Sequence, residues 1–82
     1  MTTNPKPTRI GSLTTHQVVE LLAACQRAGI VLTTSKTAAH VEAPIGAILA
    51  AVTEHDRHVR DRGRRLAVSR LLAKLNTLNA VT

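Results

Sequence analysis

Not one residue of this 82-residue chain is Phe, Tyr or Trp. The core must therefore be built from Leu, Ile, Val and Ala, which bury less area each than an aromatic does. At about 1.5–3 kcal/mol per fully buried large aliphatic side chain, a domain of this size stands near break-even against chain entropy. Twelve alanines add little area but let helices approach closely. The combination predicts one small domain of packed helices, completed by self-association as a homodimer or by a docked partner. A deep preformed pocket is not expected at this size, and neither is an enzyme.

Periodicity predicts an all-α fold, a small bundle of about four helices. Thr14 followed three residues later by Gln17 forms a capping box, and Leu13 can staple onto Val18. Val18, Leu21, Leu22, Cys25 and Ala28 recur at helical spacing, and Gly29 is placed as a left-handed stop, so helix 1 spans 15–28. A second, short helix is expected over 35–42. It ends there because Pro44 disfavours helix at Ala43 and starts the next helix itself. Ile45, Ile48, Leu49, Val52 and Val59 then share a stripe with which Leu66 is in phase. Beyond it the stripe rotates to Val68, Leu71, Leu72, Leu75 and Leu78. The phase change beside Gly63 predicts helices over 44–62 and 64–77. Residues 1–12, with two prolines, a glycine, Lys6 and Arg9, read as a flexible basic tail before a single helical domain, 13–82.

The net charge of +6 is unevenly placed. Between Arg57 and Lys74 there are seven basic residues and one acid, Asp61, whereas the rest of the chain sums to zero. Such asymmetry points to an anionic partner more than to general solubility, the alternative being a merely solvated helix face. Arginine suits phosphate because its planar fork grips two oxygens. The phosphate-contact candidates are Arg57, Arg60, Arg62, Arg64, Arg65, Arg70 and Lys74, with Lys36 added from the second helix. Lys6 and Arg9 are further candidates, for a minor groove. Without aromatics to stack on bases, duplex DNA or structured RNA is the expected form of nucleic acid. Asp56 and Asp61 stand four residues before Arg60 and Arg65, the favourable order for helix ion pairs. The same helical phase points Asp56 inward, toward Arg70, Arg27 or the N–H groups that start the last helix.

The stretch TSKTAAHVEAPIGAILAAV, residues 34–52, resembles a helix-turn-helix: a short helix with paired alanines, a turn, then a longer helix with aliphatics at Ile48, Leu49 and Val52. The resemblance implies a DNA-binding domain whose second helix enters the major groove, with Ile45, Gly46, Ala47 and Ala50 facing DNA. These four side chains offer no hydrogen bonds to bases, so the affinity is expected from Arg57 onward.

The sequence thus reads as a small non-enzymatic DNA-binding protein, a regulator or accessory factor. The alternative is a helical interaction or assembly module whose basic strip meets an acidic protein surface. His55-Asp56 resembles the paired ligands of HD-type phosphohydrolases, and His55 with His58 has the spacing to share a metal. That chemistry needs ligands on several more helices, and His16 and His40 stand in no ligand-like motif. No metal and no cofactor are expected. Cys25 lies on the apolar stripe of helix 1 and reads as core. A lone cysteine, no signal-type segment and no bilayer-length apolar run point to the cytoplasm. Richness in Ala, Arg, Val and Thr suits a GC-rich bacterial or phage genome.

Overall fold

The computed structural model describes residues 8–81, and its first helix follows its local signals. Helix α1 spans Thr15–Ala28. The Thr14 side chain accepts from the Gln17 N–H, and the Gln17 side chain accepts in return from the Thr14 N–H at 2.8 Å. Two otherwise orphaned donors are thereby satisfied. Gly29 closes the helix at φ 72°, the left-handed region where a Cβ would be strained.

The chain between α1 and Pro44 is not helical. Strand β2, Leu32–Thr34, and strand β3, Ala39–Val41, form an antiparallel hairpin around a four-residue connection. The Ser35 N–H donates to the Ala38 carbonyl to close the turn. Strand β1, Thr8–Ile10, pairs with the other edge of β3, so the sheet order is β1-β3-β2. The expected helix over 35–42 is therefore replaced by a turn and a strand. Alternation decides it: Ala39, Val41 and Ala43 are buried while His40 and Glu42 are exposed. Residues 8–10, expected in a flexible tail, are a strand whose Ile10 is fully buried; the tail's Lys6 lies outside the described residues. Across the sheet's outer face Arg9, His40 and Thr33 stand side by side in register, all exposed.

Helix α2 covers Ile45–Asp56, with Pro44 as its N-cap rather than its first residue. The stretch 34–52 thus holds one helix, not two. Helix α3 covers Arg62–Val81, and the break before it comes at 57–61 instead of beside Gly63. Bonds from the Arg57, His58 and Val59 N–H groups to carbonyls three residues back tighten the end of α2. Asp61 then caps α3, its Oδ1 accepting from the Arg64 N–H at 3.0 Å. Gly63 sits where an added Cβ would meet that carboxylate oxygen at 3.3 Å, so the glycine makes room for the cap instead of breaking the helix. An uninterrupted helix from 45 to 81 would be about 55 Å long and could not fold back on α1.

The buried residues of all three helices join those of the sheet in one cluster. Ile10, Val41, Leu21, Cys25, Ile48, Val52, Val68, Leu71 and Leu75 are its largest fully enclosed side chains. Val59, on the connection, is buried with them. Leu66 is not: the earlier break turns it outward, and it is 54 % exposed. The described residues are mostly helical with a small antiparallel sheet, in place of a four-helix bundle. No described helix is long and apolar enough to cross a membrane.

Candidate functional site: the start of helix 3 and its surroundings

The arginines of residues 57–70 do not form one strip. At 100° per residue, Arg64 falls within about 20° of the buried Leu71, while Arg62 lies about 180° from it. Arg65 sits on one flank of Arg62 and Arg70 on the other. Arg57 and Arg60 belong to the connection before α3, not to a helix face. Arg60, Arg62, Arg65 and Arg70 are exposed and make no hydrogen bond or ion pair among the described residues. Arg57 lies 3.6 Å from Glu54, both well exposed, a pair worth at most about 1 kcal/mol. His58 shares that carboxylate at 3.5 Å. Lys36 is exposed in the hairpin connection, which is tied to the start of α1 by a bond from the Leu13 N–H to the Thr37 carbonyl.

Two expected contact residues work inside the molecule. Lys74 donates from Nζ to the Ser12 carbonyl at 3.2 Å, holding a residue whose φ of 56° is unusual for a non-glycine. Arg64 turns inward to Glu20, with Nε and Nη2 donating to the two carboxylate oxygens at 3.0 and 3.2 Å. Neither expected helix ion pair, Asp56 with Arg60 or Asp61 with Arg65, forms among the described residues. Asp56 is half-buried, and it is Asp61, not Asp56, whose side chain accepts from a backbone N–H, that of Arg64, in the first turn of α3.

The inward polar residue of α2 is His55, one position before the expected Asp56. It is 3 % exposed and its Nε2 lies 2.9 Å from Glu20 Oε1. Glu20 is itself only 4 % exposed. One buried carboxylate thus ties α1 to α2 through His55 and to α3 through Arg64. Burial pushes the Glu20 carboxyl up. The hydrogen bonds and charges of Arg64 and His55 outweigh that, and hold it below the ordinary carboxylate range. Arg64 is raised in turn, chiefly by its hydrogen bond to Glu20. His55 Nδ1 is buried with no partner among the described residues. His55 and His58 diverge, and no group of three or more His, Cys, Asp or Glu among the described residues is placed to hold a metal ion. Cys25 is in the core, where burial pushes its thiol up to about 11.

Beside this network a cleft of about 490 Å³ runs between the first turn of α1 and the first turns of α3. Its α1 wall includes His16 and Gln17, and its α3 wall includes Arg64, Leu66, Ala67 and Arg70. Of the four positions that the helix-turn-helix resemblance turns toward DNA, Gly46, Ala47 and Ala50 are exposed and Ile45 is half-buried. The Glu20–His55–Arg64 network escaped the sequence reading because its members lie 35 and 44 residues apart. A glutamate on the buried flank of α1, between Gln17 and Leu21, was the local sign of it. No protein-family model, no curated protein and no solved structure matches this chain.

Proposed function

We propose that this is a non-enzymatic nucleic-acid-binding protein, a regulator or accessory factor that grips the phosphate backbone of duplex DNA. The supporting observation is the set of cations that the fold leaves unmatched around the start of α3: Arg60, Arg62 and Arg65, with Arg57 only loosely held by Glu54. The acid of the same segment, Asp61, is engaged in capping the helix. Affinity then comes from counterion release and carries little base preference. The protein acts in the cytoplasm and as a homodimer in this reading, which doubles the cationic surface presented to one duplex.

The test is binding to random-sequence duplex DNA over a range of salt. Four phosphates neutralised give a log–log slope of about −4. Changing Arg60, Arg62 and Arg65 together to Ala reduces that slope by about three. Absence of binding at low salt overturns the reading. One observation favours the second reading, an interaction module that docks an acidic protein. Leu66, 54 % exposed, lies among these arginines, and a phosphate backbone gains nothing from a leucine. Stable protein association insensitive to added duplex would select that reading.

A further inference from the structure

Arg64 is held in an unusual way for a surface arginine. Two of its three nitrogens are bound to Glu20, and that carboxylate is in turn fixed by His55. The guanidinium is left with Nη1 unpartnered among the described residues, on a side chain that is 53 % exposed and lines the cleft. Burying a glutamate and a histidine to hold one arginine costs desolvation that an apolar packing of the same volume avoids. Such an arrangement is what pre-organises a binding group.

Around it the cleft offers two kinds of surface. Arg70 of α3 and His16 of α1 both line it, exposed and without partners among the described residues. Leu66 and Ala67 of α3 add apolar surface to the same cleft. Asp61 also lines the cleft, but its Oδ1 accepts from the α3 backbone. Of the arginines that line the cleft, Arg70 is matched by no carboxylate and Arg64 keeps Nη1 free, while Asp61 is engaged with the helix backbone.

We propose that this cleft is a binding site for a small organic anion, a carboxylate or phosphate head on an apolar body. Arg70, His16 and the free edge of Arg64 hold the head, Leu66 and Ala67 meet the body, and Glu20 and His55 are positioning residues. An oxyanion takes paired hydrogen bonds from a guanidinium fork, and the cleft is in the size range of small-ligand sites. The site is distinct from the outward arginines assigned to DNA, so either assignment can fail alone.

Isotope-labelled full-length protein is titrated at constant ionic strength with inorganic phosphate, phenyl phosphate and benzoate, and amide shifts are followed. The expected result is saturable shifts at His16, Gly63 and Ala67 with at least one of the two aryl anions. Whichever binds tighter identifies the head group, and phenyl phosphate should exceed inorganic phosphate roughly threefold or more through the apolar wall. Arg70→Ala should weaken the binding about tenfold, as loss of one charge-assisted contact implies. In Glu20→Gln the Arg64 Nε–H resonance should lose its protection and the aryl anion should bind more weakly; Arg70→Ala, on an exposed residue, carries the test if that variant does not fold. Shifts absent from these residues, or unchanged affinity in Arg70→Ala, overturn the proposal. A 12-base-pair duplex added separately distinguishes the sources of phosphate. If it shifts the same three amides and competes with phenyl phosphate, the head is a backbone phosphate; if not, the ligand is a free small molecule.

Discussion

Arg64 and Arg65 are neighbours in sequence and opposites in environment. Arg64 turns in to a buried carboxylate, while Arg65 is exposed and free of partners among the described residues. The same contrast separates two regions of the molecule. One is the inner network, where Glu20 and His55 leave water and are satisfied by each other and by the half-exposed Arg64. The other is the outer set of Arg57, Arg60, Arg62 and Arg65, where charge stays hydrated. Low polarity around the inner groups makes each lost partner expensive. High dielectric around the outer ones makes their individual contributions to folding small and leaves them available to an anion.

The largest effect expected is on the inner side. Glu20→Ala leaves His55 buried without a partner on either ring nitrogen and frees Arg64, and should cost about 2–4 kcal/mol. A urea-midpoint shift near zero would erase the contrast between the two regions. A smaller effect of the same origin is acid sensitivity. Glu20 titrates lower in the folded chain than in the unfolded one, so its contribution is present above the unfolded carboxylate range. It is lost as pH falls below about 4 and through the lowered folded value. Urea midpoints against pH should drop over that window, and the drop should flatten in Glu20→Gln. Next is the cap that starts α3: Asp61→Ala should cost about 1 kcal/mol, read by thermal unfolding. The smallest effect belongs to the outer set. Arg60→Ala, Arg62→Ala and Arg65→Ala together should move stability by no more than about 0.5 kcal/mol each way. Their loss should still weaken duplex binding at least tenfold. Comparable losses in stability from Glu20→Ala and from the outer triple change would mean that both regions belong to the packing.

The two regions also differ in how far they were legible. The outer arginines are visible as a run of charge in 57–65. The inner network is not, because its contacts join residues on three different helices. His55 instead of Asp56 points inward because α2 ends at 56 and its phase follows Ile48, Ala51 and Val52. Among the elements, the ends of α1 were legible, since the Thr14–Gln17 box and the Gly29 stop act within a few residues, but its buried face runs through Gln17, Glu20, Leu21, Ala24 and Cys25 and leaves the expected Ala28 exposed. The hairpin was not. Ala38 and Ala39 favour helix locally, and only pairing with β1 and β2 makes Ala39–Val41 a strand. The alternation of buried Ala39, Val41 and Ala43 with exposed His40 and Glu42 carried the signal in a stretch too short to outweigh propensity.

By itself the sequence determined the start and stop of α1, the aliphatic stripe of α3 at Val68, Leu71 and Leu75, and the concentration of positive charge near the start of that helix. These rest on spacing along one helix and on composition, which need no distant partner. Only the tertiary structure decided the three-stranded sheet, the break at 57–61, and the division of the arginines into one held by Glu20 and others left to solvent. Each of those depends on contacts between segments far apart in the chain. Their free energy is gained only when both segments are already in place.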